Sequence, residues 1–158
     1  MDAQLPERLQ QRLLLGAPAL TLAHGIPVLP LQAGQWFDAA RALRDEFGFD
    51  MLLDVTAVDW PGQALRFEVV AHLYSTRDFV RLRLKARVSE AAPVIASLVP
   101  LCPAAAFIER ECHDMFGIAF DGNTDLRPIL LYEGFVGHPL RKDYPKRREQ
   151  PLVRYRQA

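Results

Sequence analysis

The stretch "RFEVVAHLYSTRDFVRLRLKARV", residues 66–88, decides how this chain folds. Its second half alternates with a period of two: Val80, Leu82, Leu84, Ala86 and Val88 fall on one side, and Arg81, Arg83, Lys85 and Arg87 on the other. An extended strand separates neighbours in this way, so "VRLRLKARV" reads as a half-buried antiparallel strand with helices over its apolar face. "RFEVVAHLYS" is a second strand, joined to it by a short polar turn. The four cations have two readings, a solvated face or a docking surface for an acidic partner.

On the N-terminal side, "DMLLDVTAVDW" (50–60) is a strand stopped by the Pro61-Gly62 turn. "GQWFDAARALRDEF" (34–47) puts Trp36, Phe37, Ala40, Leu43 and Phe47 on one helical stripe, with Gly48 in the C-cap position. "IPVLPL" (26–31) is a short strand that Pro27 and Pro30 push toward a sheet edge. "PERLQQRLLL" (6–15) is a first helix ended by Gly16 and Pro18. These elements predict a two-layer α+β domain over residues 1–120, a mainly antiparallel sheet covered by helices, followed by an extended arm over residues 121–158.

The 158 residues suffice for one domain with a genuine core. Half are hydrophobic and 24% charged, the balance of a soluble globular protein. Net charge is zero, so no overall basic field recruits nucleic acid or anionic lipid. Cys102 and Cys112 are too few for a disulfide scaffold, an iron–sulfur cluster or a structural zinc site. "MDAQLPERLQ" has an early acid and no apolar run after a basic start, so no secretory signal is expected and a reducing cytoplasm is the default.

From Ala91 to Ile108, 18 residues carry no charge, close to a membrane-spanning length. Pro93, Pro100 and Pro103 interrupt them, which predicts two short helices meeting near Pro100, the second with Pro103 in its first turn. That second helix runs into "ERECHDMFGIAF" (109–120), where Ile108, Cys112, Met115 and Phe116 share an apolar stripe and Cys112 reads as a small core hydrophobe. Glu109 and His113, and likewise Arg110 and Asp114, lie four apart on the other side, the spacing of surface ion pairs. A metal site from Glu109, His113 and Asp114 lacks an HExxH pattern, and Cys112 with His113 as its base fails because adjacent helical residues diverge. No GxG, P-loop or GxSxG occurs, and His24, His72 and His138 are isolated. By its residues the chain does not look like a self-contained enzyme.

In the arm, glycines and prolines break every candidate helix, yet Ile129, Leu130, Leu131, Tyr132, Phe135 and Val136 are apolar and want burial. Residues 139–158 hold Arg141, Lys142, Lys146, Arg147, Arg148, Arg154 and Arg156 against Asp143 and Glu149, a net +5 that leaves −5 on the remainder. Such asymmetry suggests an arm lying on an acidic surface, with a solvated tail beyond Lys146 as the plainer reading. Tyr144 and Tyr155 are the only aromatics there, which disfavours nucleic acid.

"ERECHDMFGI" (109–118), "DLRPIL" (125–130) and "GHPLRKDYP" (137–145), with "DVTAVDWPG", "RFEVVAHLYS" and "RLRLKARV" upstream, resemble the thirty-kilodalton subunit family of proton-pumping NADH:quinone oxidoreductase, respiratory complex I. The likeness runs from about Phe49 to Pro145. Departures are His113 where an aromatic residue is usual, Gly122-Asn123-Thr124 where Gly-His-Pro is usual, and Pro128 where a basic residue is common.

The resemblance implies a non-redox structural subunit of the hydrophilic arm, supporting electron transfer from NADH to quinone while binding no cofactor or metal itself. FMN, iron–sulfur clusters and quinone belong to partner subunits. It places the chain peripherally on the cytoplasmic side of the bacterial inner membrane, touching the membrane only through the complex. It assigns to subunit interfaces Glu109, Arg110, Glu111, Asp114, Met115, Phe116 and Gly117, then Asp125, Leu126 and Arg127, then Gly137, His138, Pro139, Leu140, Arg141, Lys142, Asp143, Tyr144 and Pro145. The partner is the large quinone-site subunit with its connecting-module neighbours; Ile129, Leu130 and Phe135 are apolar anchors, and Arg127, Arg141 and Lys142 are donors. Glu109, Arg110, Glu111 and Asp114 are expected to form a lattice that fixes the helix end and the departing arm. A related membrane-bound hydrogenase or dehydrogenase is the near alternative, and an autonomous metal-dependent hydrolase using Glu109, His113 and Asp114 the distant one.

Overall fold

The computed structural model describes residues 20–145 and residue 147. The helix expected over residues 6–15 and most of the basic C-terminus lie outside the described residues. The order is β1 (Thr21–Ala23), β2 (Ile26–Gln32), a 3-10 turn (Ala33–Gln35), α1 (Trp36–Asp45), β3 (Met51–Asp59), β4 (Phe67–Ser75), β5 (Val80–Val88), β6 (Val94–Ala96), α2 (Ala105–Phe116) and β7 (Ala119–Asp121). Five strands form one sheet in the order β1-β2-β5-β4-β3, and β6 pairs with β7 separately. The expected α+β class with a mainly antiparallel sheet is what the chain adopts; only β2 and β5 run parallel within the five strands.

Alternation along β5 builds the sheet as the sequence predicts. Leu82, Leu84, Ala86 and Val88 are buried, and the register pairs Leu84 with Ala71 and Ala86 with Val69, so side chains of like character share a face. Trp36, Leu43, Phe67, Leu29 and Ile118 are fully or almost fully buried in the layer between this face and the helices. Gly48 ends α1 with a φ of +72°, and the Phe49 amide returns to the Leu43 carbonyl at 3.0 Å.

Two expectations need correction. β2 is not the edge strand: His24 and Gly25, with φ of 53° and 75°, form a two-residue turn that folds β1 back onto it. β1 reaches only to Val28, so from Leu29 onward β2 keeps one open flank, and Pro30 sits there. The first of the two helices expected near Pro100 is instead a strand and turns. Val94–Ala96 finds a parallel partner in Ala119–Asp121, and the Leu101 and Cys102 amides both close onto the Leu98 carbonyl. The second helix forms, beginning at Ala105 just past Pro103. Among the described residues no helix is long and apolar enough to cross a membrane.

Candidate functional site

The chemistry-bearing residues of 109–117 sit on α2, and each turns to a different segment. Glu109, which helical spacing puts away from the apolar stripe, is completely buried. Its carboxylate accepts from the Leu98 amide (2.7 Å), Ser97 Oγ (2.7 Å) and Asn123 Nδ2 (3.0 Å), serving the 97–98 corner and the loop after β7. Burial pushes its carboxyl up, against the pull of those three donors. Arg110 donates to the carbonyls of Arg127 and Pro128, both at 2.9 Å, and lies 3.8 Å from Asp125. Asp114 Oδ2 accepts from three successive amides, Ile129 (2.7 Å), Leu130 (3.0 Å) and Leu131 (3.3 Å). Burial alone would raise the Asp114 carboxyl; the three amides outweigh it and hold it below the ordinary range. Glu111 is exposed.

The far end of α2 is closed by the third block. The last four carbonyls of a helix lack intrahelical partners, and here all four are met. The Gly117 amide donates to His113 O (2.7 Å), His138 Nδ1 bonds Asp114 O (2.9 Å), the Leu140 amide donates to Met115 O (3.1 Å), and Arg141 Nε donates to Phe116 O (2.6 Å). Gly117 has a φ of +72°, and a Cβ there would run into His138 Nε2 and come within 2.6 Å of Arg141 Nη2, so the close approach requires glycine. Met115 and Phe116 face the core.

A buried arginine locks the arm at Asp143. Arg66, 5% exposed, grips Asp59 with two parallel bonds (2.7 and 2.8 Å), and also meets Glu90 (2.6 Å) and Asp143 (2.8 Å). The Lys142 amide donates to Asp59 Oδ2 at 2.7 Å. The Arg66 guanidinium holds both Asp59 and Asp143 below the usual carboxylate range. Arg66 and Arg141 both sit over the Phe67 ring, at 5.1 and 4.9 Å. Tyr144 stacks on Phe135, whose other neighbour is Tyr132. Pro139 is half-buried, Leu126 packs against the core, and Pro145 and Gly137 are exposed.

The arm therefore folds back on its own domain. Arg127 pairs with Asp125, Arg141 with the helix end, and Lys142 engages through its backbone. Sequence reasoning missed Arg66, Asp59 and Glu90. Strand parity would have flagged Asp59, which is in phase with the buried Val55 and Ala57 and so needs a buried counter-charge.

Glu109, His113 and Asp114 diverge, His113 Nδ1 being 2.9 Å from Ile118 O, and no group of three His, Cys, Asp or Glu is placed to hold a metal among the described residues. Burial pushes the Cys112 thiol up, which keeps it a core hydrophobe.

The chain is thus an α+β domain whose C-terminal arm is bonded across its last helix. The model of the respiratory-chain NADH dehydrogenase 30 kDa subunit matches residues 29–150, and the chain belongs to that family. An NADH-quinone oxidoreductase subunit from Rhodopseudomonas palustris (strain TIE-1) is 39% identical over 151 residues, covering 92% of this chain and 74% of the relative. The subunit of the same name from Azoarcus sp. (strain BH72) is 42% identical over 158 residues, covering 92% and 78%. Among solved structures, a trypsin-resistant fragment of Nqo5 superposes with a TM-score of 0.65 at 29% identity, covering 76% of this chain and 95% of the fragment. A chain of an archaeal membrane-bound sulfane sulfur reductase shares the fold at a TM-score of 0.69 and 24% identity, covering 79% and 73%.

Proposed function

We propose that the chain is a non-redox structural subunit of the hydrophilic arm of NADH:quinone oxidoreductase, packing against the large quinone-site subunit while other members of the complex carry FMN, the iron–sulfur clusters and quinone. The carrying observation is the arm. Its backbone is fixed to α2 and Asp59, and Arg66 holds Asp143, yet Leu130 and Val136 are 61% and 59% exposed, with Ile129, Tyr132 and Leu140 exposed beside them. A preformed surface that keeps large apolar side chains in water suits a partner that buries them, because ordering has been met before docking. Glu109, Arg110 and Asp114 then act indirectly, by holding that surface in shape. The peripheral position on the cytoplasmic side of a bacterial membrane follows from the same reading.

The test is the native mass and subunit composition of what copurifies with the tagged chain from gently solubilised membranes. A large assembly with flavin, iron–sulfur and membrane subunits is expected, and recovery only as a soluble monomer would overturn the reading. Arg110→Ala should lower the amount of assembled complex more than turnover per assembled complex. Normal assembly with selectively lost turnover would point to catalysis instead.

A further inference from the structure

The sheet has a second face, and it is chemically unfinished. Both helices, β6, β7 and the arm pack on or bond to the first face; apart from the 60–65 loop at its rim, no described element covers the second. Along β5 this face carries Arg81, Arg83, Lys85 and Arg87. Glu68 neutralises part of the row: it bonds Lys85, lies 3.3 Å from Arg87 and accepts from Trp60 Nε1 at 3.0 Å. Arg81 and Arg83 have no carboxylate partner among the described residues, and Arg83 Nε is buried without a hydrogen-bond acceptor. A buried donor without an acceptor is costly and rare in a finished structure. The neighbouring His72 registers the excess charge: burial lowers its pKa, and Arg83 and Arg81 push it further against the opposing Asp54. At the other end of the row a groove of about 590 Å³ opens beside Pro30 and Leu65, walled by Lys85 and Arg87.

We propose that this face docks an acidic segment of a neighbouring protein in the complex, with carboxylates on Arg81 and Arg83 and an apolar side chain in the groove beside Leu65. The inference rests on the chain being a subunit of a larger complex, and it assigns a second interface on the face of the sheet opposite α1 and α2. Guanidinium groups match carboxylates bidentately and are weakly hydrated, so they tolerate the half-buried setting of this row. An anionic bilayer instead attracts clusters of about four to eight unpaired Lys or Arg side chains, more than this row leaves free beside Glu68. The one lysine here is already held by Glu68.

The experiment uses the full chain in its native complex. The double variant Arg81→Glu with Arg83→Glu should cut the assembled fraction by about tenfold or more, because like charges then face each other across the contact. Arg81→Lys with Arg83→Lys should lose less, and Arg41→Glu on the exposed side of α1 should leave assembly unchanged. A photo-crosslinking residue in place of Tyr74, next to Arg81 in the register, should capture an Asp- or Glu-containing peptide from another member of the complex. This capture decides the matter if the double variant fails to fold. Equal assembly of the double variant, or capture of lipid, of this chain's residues 1–19 or of a peptide without carboxylates, overturns the inference. If the wild-type chain recovers no other protein of the complex, the proposed membership falls and this inference with it; wild-type assembly with an indifferent double variant defeats this inference alone.

Discussion

The core and the arm are built in opposite ways. In the core, Leu82, Leu84, Phe67 and Trp36 turn inward, and burial of apolar area holds the layers together. In the arm, backbone amides and carbonyls turn inward to Asp114, Arg110, Asp59 and the end of α2, while Ile129, Leu130, Val136 and Leu140 turn outward. A domain made only to be stable would have no use for the second arrangement. The contrast teaches that polar bonds can hold a segment in shape so that its apolar side chains remain available.

The sharpest way to break this contrast is to remove the residue that joins the regions. Arg66→Ala leaves Asp59 buried without its counter-charge and should cost about 3–5 kcal/mol, read as a lowered midpoint of denaturant unfolding together with early cleavage of the arm. A loss under about 1 kcal/mol would mean the cluster contributes little beyond an ordinary surface pair. Leu84→Ala should cost about 2–5 kcal/mol through its cavity, with one cooperative transition for the whole domain. Were the arm to be cleaved before the core unfolds in that variant, the two regions would be less coupled than the bonds imply.

Gly117→Ala should cost about 1–3 kcal/mol from the strained left-handed backbone and the collision with His138 and Arg141. Limited proteolysis should find the arm released while near-ultraviolet dichroism reports an intact core. Acidification should act in the same place. Asp114, Asp59 and Asp143 all have lowered pKa values, so their contribution is fully present above the ordinary carboxylate range and is lost as pH falls through their folded values. Arm protection should therefore fail on descending below about pH 4, and Asp114→Asn should bring that failure to neutral pH. Protection that persists unchanged in Asp114→Asn would remove the carboxylate from the account. The smallest stability effect belongs to the outward set: Leu130→Ser should change stability by less than about 0.5 kcal/mol yet lower recovery of the complex.

Particular residues show how much was legible. Period-two alternation in 80–88 gave β5 its correct face, and Gly48 marked the end of α1. β1 escaped notice because its three residues carry no pattern of their own and exist as a strand only through the His24-Gly25 turn. The stretch before α2 was misread because prolines that forbid a long helix do not say whether the pieces are helix or strand; β6 depends on meeting β7 more than twenty residues later in the chain. For the site, motif blocks named residues of α2 and the arm but neither their partners nor the roles of Asp59, Arg66 and Glu90. Local spacing suggested Glu109 with His113 and Arg110 with Asp114, whereas the fold supplies Ser97, Asn123 and the 127–131 backbone instead.

The sequence by itself determined the family, the α+β class and the motif residues of α2 and the arm, because side-chain period and motif order are properties of the chain alone. Only the tertiary structure decided what those residues bond. Helix-end carbonyls, strand-edge amides and a buried arginine become orphans at places set by packing, and whichever distant segment arrives with the matching donor or acceptor becomes the partner.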